Sequence, residues 1–135
     1  MKKTNNKGFS LVELIIVVAI MAVLVGVLAP QYIKYLDKSK KGVDEQMADN
    51  LRQAMTTCYL DPNVTGKPTA GGSLGTPSGT PGEFWEEVKG IMGTFPPALK
   101  LDPTSGAISY TLANDKFTVT ISGGKYTGAL KIEIE

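Results

Sequence analysis

Histidine is absent from this 135-residue chain, and there is one cysteine and one tryptophan. Without imidazole, histidine-based catalytic triads and histidine-ligated metal sites are excluded. The lone cysteine, Cys58, cannot close an intrachain disulfide. Charge of either sign is in short supply: 14 Lys and Arg against 13 Asp and Glu leave a net +1. That balance argues against a dedicated nucleic-acid binder. Glu86, Glu87 and Asp115 show no paired arrangement beyond solvated faces, so no acid–base pair is available for catalysis. The glycines between Thr65 and Gly82 do not follow a strand-to-helix phosphate-loop pattern. Asp102-Pro103-Thr104-Ser105-Gly106 reads as a turn and is too poor in oxygen ligands for a calcium loop. The reading is of a non-enzyme with no cofactor and no metal.

What the chain has in excess is one long apolar run. Every residue from Leu14 to Ala29 is apolar or glycine. A membrane-spanning helix needs about 20 mainly apolar residues. Phe9 to Ala29 supplies them, with Ser10 and Glu13 the only polar positions. A basic, polar leader, Met1-Lys2-Lys3-Thr4-Asn5-Asn6-Lys7, precedes the run. An acidic residue at the centre of a membrane helix costs roughly 2.5–3.5 kcal/mol on insertion scales, so Glu13 at the head of this run is read as functional. A secretory signal peptide cut after Ala29 is the alternative. Glu13 at the entry to the apolar region and Pro30 just after the cut both oppose it.

Gly8-Phe9-Ser10-Leu11-Val12-Glu13-Leu14-Ile15 resembles the processing site of the type IV pilin family, which includes the pseudopilins. The likeness covers roughly Lys2 to Tyr35. It implies that a membrane prepilin peptidase cuts between Gly8 and Phe9 and methylates the new amine of Phe9. It further implies an assembly role for Phe9 and Glu13, a leader in the cytoplasm, an inner-membrane assembly platform as partner, and a homopolymer as product. Pro30 falls where the family often has a proline, and Gly26 four residues earlier is a poor helix residue, so the pair marks an expected kink. Removing the three leader lysines from the 14 basic residues leaves 11 against 13 acidic, a net −2 for the mature chain. The chain departs from those family members that close a C-terminal disulfide loop.

Beyond the apolar run a helical period continues from Gln31 to Leu60. Leu36, Val43, Met47, Leu51, Ala54 and Cys58 form the expected buried stripe. Asp37, Lys41, Asp44, Glu45, Asn50 and Arg52 fall on the expected solvated side. Cys58 on the stripe reads as a small buried hydrophobe. Lys34, Tyr35, Lys38, Lys40 and Lys41 form either a solvated face or a contact with anionic lipid headgroups. Asp61-Pro62-Asn63 stops the helix. The Gly-, Pro-, Ser- and Thr-rich stretch from Thr65 to Gly82 reads as a loop, and the pilin resemblance implies that it is a surface for subunit contacts. Glu83 to Met92 reads as a short helix opened by Thr80-Pro81-Gly82-Glu83, with Trp85 a domain-packing or subunit-contact residue.

Three alternating runs follow, through Ile108/Tyr110/Leu112, Phe117/Val119/Ile121 and Leu130/Ile132/Ile134. Asn114-Asp115 and Gly123-Gly124 are the expected hairpin turns. The fold class is therefore α+β, a long N-terminal helix packed on a C-terminal antiparallel meander of three or four strands. The expected division is a leader at 1–8, a membrane and assembly helix at 9–30, an amphipathic helix at 31–60, a loop-rich region with a short helix at 61–106, and the sheet at 107–135. The function this implies is a structural subunit of an extracellular type IV pilus, for adhesion, motility or DNA uptake, held in membrane lipid before assembly. The alternatives are a pseudopilin of a type II secretion or competence system, and a signal-peptide-bearing secreted binding domain.

Overall fold

The computed structural model describes residues 8–74, 82–128 and 132–135. The chain divides into two compact units, Met1–Leu36 and Asp37–Glu135. Helix α1 spans Leu11–Leu60 as one element. It is followed by β1 (Gly72–Ser73), α2 (Glu83–Met92), β2 (Ala107–Ala113), β3 (Lys116–Ser122) and β4 (Ile132–Ile134). The strands form one antiparallel sheet in the order β1-β2-β3-β4. This is the α+β architecture expected from the sequence.

Alternation sets the face of the sheet. Ile108 pairs with Ile121, Tyr110 with Val119, and Ile121 with Ile132, which puts all of them on the buried side. Asn114 and Asp115 adopt φ of 52° and 59°, the two left-handed residues that a two-residue hairpin needs. The expected second hairpin is different. Gly123 bridges Tyr126 across a tight turn at Gly124, and β4 begins only at Ile132. The chain leaves the sheet there because Tyr126 turns into the core, where it is almost wholly buried. Leu130 and Lys131 lie outside the described residues.

The stretch expected to be a loop contains the edge strand β1. Gly71 and Gly72 let it lie against β2: a Cβ on Gly71 would stand 2.6 Å from the Tyr110 carbonyl oxygen. Leu74 follows, donating its N–H to Ile108 O at 2.8 Å and burying its side chain. A two-residue strand has no period to read, so only the paired glycines hinted at it. The Pro-rich stretch 76–81 falls outside the described residues.

Against the sheet, α1 presents Ala48, Leu51, Ala54, Met55 and Cys58. The buried face is rotated from the expected stripe: Val43 is 51% exposed, Leu36 is exposed and Met47 is half-buried, while Asp44 is fully buried. The solvated placement expected for Asp44 is thereby overturned. Its Oδ1 accepts the N–H of Lys100 at 2.8 Å; its Oδ2 accepts the N–H of Leu101 at 2.9 Å and the hydroxyl of Tyr126 at 2.7 Å. Three donors supply what burial of a carboxylate requires, and an apolar residue could not satisfy them.

Helix α2 forms over the expected residues, with Phe84 and Val88 buried. Of its expected opening, Thr80 and Pro81 lie outside the described residues. Gly82 is the N-cap and makes no side-chain cap bond; the Thr65 carbonyl instead accepts the Phe84 N–H at 3.2 Å. Glu83 reaches back to Thr65, accepting its hydroxyl at 2.6 Å, and those hydrogen bonds hold its carboxyl below the ordinary carboxylate range. Trp85 packs edge-on to Phe84 and Tyr110 and stacks on Phe95, with centroids 4.9–5.5 Å apart.

Candidate functional site

The segment singled out by the sequence begins outside the helix. Gly8, Phe9 and Ser10 are non-helical and exposed, Phe9 to 93%. Helix α1 then opens with a reciprocal cap. Ser10 Oγ accepts the Val12 N–H at 3.2 Å, and Glu13 Oε2 accepts the Ser10 N–H at 3.0 Å. This is the S-x-x-E capping box, in which two orphan donors of the first turn are satisfied by side chains. The carboxylate also sits where the helix dipole favours negative charge. Glu13 thus has a partner in its own chain, the Ser10 amide. The pattern Ser10-Leu11-Val12-Glu13 was the signal that could have found it.

A Cβ on Gly8 would meet nothing within 4 Å, and its φ is not in the left-handed region. The folded chain therefore makes no demand for glycine at position 8. Gly26 likewise faces open space. Helical assignment runs unbroken through Gly26 and Pro30.

From Leu11 to Leu36 no residue is buried. The most apolar 18-residue window of α1 is long and apolar enough to cross a membrane, and none of it is buried. A soluble core helix would hide such a surface; this one leaves it open along every face. Lys34, Tyr35, Lys38 and Lys40 are exposed, whereas Lys41 is half-buried and pairs with Glu45 at 2.9 Å.

In the second unit, Cys58 is a free, buried thiol whose pKa is pushed up chiefly by burial, the opposite of what a reactive thiolate needs. Asp102 closes its turn by accepting the N–H of Ser105 at 3.0 Å, the N–H and hydroxyl of Thr104, and the N–H of Lys125. Among the described residues no three His, Cys, Asp or Glu side chains gather as a metal-binding group.

Comparison with known proteins falls on the same segment. Residues 3–29 match the model of the prokaryotic N-terminal methylation motif. The chain is 38% identical over 65 residues to a type IV major fimbrial protein FimA of Dichelobacter nodosus, covering 48% of this chain and 42% of that one. It is 31% identical over 86 residues to a type IV major pilin protein PilE of Neisseria gonorrhoeae, covering 64% and 52%. A fimbrial protein of Neisseria meningitidis is 29% identical over 122 residues, covering 90% and 64%. The chain spans about half the length of the first of these curated relatives. No solved structure matches it. With its methylation motif, its pilin relatives and its long helix joined to an antiparallel sheet, the chain is similar to the type IV pilins.

Proposed function

We propose that the chain is a structural subunit of an extracellular type IV pilus, held in the cytoplasmic membrane as a single-pass precursor and polymerised through its N-terminal helix. One observation carries this reading. An apolar helix segment without a single buried residue follows directly on Gly8, Phe9 and Glu13. Such a surface is stable in water only if something apolar covers it. Lipid covers it in the precursor, and other copies of the same helix cover it in a filament. The names of the relatives, major pilins and fimbrial proteins, support the same conclusion.

The residues take the following parts. Gly8–Phe9 is the bond cut by a prepilin peptidase. Both residues lie outside the helix, where a backbone is free to extend into a protease. Phe9 receives the methyl group on its new amine. Glu13 pairs with that amine during assembly. Gly26 and Pro30 make Leu24 to Pro30 the softest part of the helix in the filament, because one lowers helix propensity and the other removes a hydrogen bond. An inner-membrane assembly platform receives the subunit. Its work is assembly, with no catalysis.

The test is the mass of the mature protein. Loss of residues 1–8 with one added methyl is expected, together with filaments decorated by an antibody to this chain. A mature start at Pro30 would overturn the reading in favour of a secreted domain behind a signal peptide.

A further inference from the structure

At the end of the apolar segment, Tyr32 and Tyr35 are 64% and 68% exposed, and Lys34 between them is exposed as well. Among the described residues neither phenol and not the ammonium has a hydrogen-bond or ion-pair partner. The two tyrosines are three residues apart, so they adjoin on one face of α1, while Lys34 points away from Tyr32 on the other side. Three polar-tipped side chains thus surround the helix within one turn, directly after the apolar window. Packing among the described residues explains none of them.

We propose that Tyr32 and Tyr35, flanked by Lys34, form an interfacial belt whose partner is the phospholipid headgroup layer on the far side of the membrane from the leader. Tyrosine suits that layer because its ring is apolar and its hydroxyl polar. Lysine lays its stem along the hydrocarbon and sets its ammonium among phosphates. Length makes the belt a ruler. From Glu13 to Tyr32 the helix rises about 29 Å, at 1.5 Å per residue, against a hydrocarbon core roughly 30 Å thick. With the tyrosines in one headgroup layer, Glu13 reaches the opposite boundary, and Gly8–Phe9 lies just beyond it. The belt therefore holds the carboxylate out of the bilayer centre and presents the scissile bond at the membrane face. This rests on the membrane-held precursor proposed above.

The test uses the full chain, leader included, in vesicles of phosphatidylethanolamine and phosphatidylglycerol. A nitroxide is attached at Ile33→Cys or at Val18→Cys, each in a Cys58→Ala background, and its depth is read from its relative exposure to oxygen and to a water-soluble nickel chelate. The Ile33 label is expected at the headgroups and the Val18 label in the hydrocarbon. In a Tyr32→Ala/Tyr35→Ala pair the Ile33 label should shift by at least half a helical turn, about 3 Å. A Tyr32→Trp/Tyr35→Trp pair should hold it in place. If the alanine pair leaves the Ile33 label where it was, or the tryptophan pair moves it as far as alanine does, the belt is overturned. If the Val18 label in the parent chain is exposed to water, the membrane anchor itself is overturned and the belt with it.

Discussion

Replacing Asp44 with alanine would strip one buried acceptor from three donors at once. The side chain has no exposed surface, and it takes the N–H of Lys100, the N–H of Leu101 and the hydroxyl of Tyr126 at 2.7–2.9 Å. A buried donor left without a partner costs about 1–3 kcal/mol. Three such donors set the expected loss at about 3 kcal/mol or more, after allowing for water entering the space the carboxylate leaves. A domain of this size has roughly 5–15 kcal/mol to lose, so the variant should stand near its folding limit. Asp44→Asn keeps one carbonyl oxygen but turns an amide donor towards the remaining donors, and should fall between alanine and wild type.

Urea unfolding of the full chain in detergent, followed through Trp85, measures the difference. Trp85 packs among Phe84, Phe95 and Tyr110, so its emission reports on this core. A Tyr126→Phe variant removes one donor and leaves Asp44 its two amides, so it should cost only about 1 kcal/mol. In the double variant Asp44→Ala/Tyr126→Phe the losses should be less than additive, because the phenol is no longer there to be orphaned. An Asp44→Ala chain within 1 kcal/mol of wild type, or strictly additive losses, would refute the clamp.

Other outcomes follow from the same geometry. Burial, together with the bond to Asp44, pushes the Tyr126 hydroxyl up to about 12, above its ordinary value near 10. A neutral phenol held in the fold contributes stability that is complete below about pH 10 and lost as pH rises towards 12; phenolate absorbance should show, beside the raised Tyr59 and Tyr110, a tyrosine titrating near pH 12 that disappears in Tyr126→Phe. Gly124→Ala combines φ of 54° with a Cβ driven into the Asp102 carboxylate, and should cost well over 1 kcal/mol, whereas Gly26→Ala meets nothing and should stiffen the helix by up to about 1 kcal/mol; thermal unfolding and helix hydrogen exchange separate the two. Glu13→Val should leave abundant membrane subunit but few sheared surface filaments. Glu13→Gln keeps the acceptor for the Ser10 amide and discards the charge, so filaments at wild-type yield from the glutamine chain would assign Glu13 to capping alone.

Local chemistry was legible in the sequence, and chemistry closed by the distant backbone was not. Helix α2 could be read over its full length because Phe84 and Val88 recur at one helical turn. The β2–β3 hairpin could be read because alternation meets Asn114-Asp115, two residues that tolerate left-handed backbone. Asp44 was misplaced because a carboxylate among lysines reads as solvated. Two of its partners are main-chain N–H groups 56 and 57 residues away, and a main-chain donor leaves no mark in a sequence. Strand β1 was hidden for the same reason, since backbone pairing rather than a side-chain pattern defines it. The apolar run at the start of α1 was legible because its pattern lies in consecutive residues, although the Ser10–Glu13 cap beside it was passed over.

Two carboxylates of α1, Asp44 and Glu13, therefore have opposite fates, and the contrast bears on assembly. Asp44 is saturated: both oxygens are engaged, by donors that the fold holds in place. Among the described residues Glu13 makes one bond, through Oε2 to the Ser10 amide, and remains exposed. An ionised carboxylate has room for about four hydrogen bonds, so most of its accepting capacity is still open. The cap fixes where that capacity lies, at the first turn of the helix, beside Phe9, which the proposed cleavage would make the N-terminus. Before cleavage Phe9 offers an amide N–H there; afterwards it offers a charged amine. A pair formed in low dielectric offsets desolvation only when its geometry is good. The Ser10 cap supplies part of that geometry in advance, so processing would add a partner to Glu13 without having to move the carboxylate.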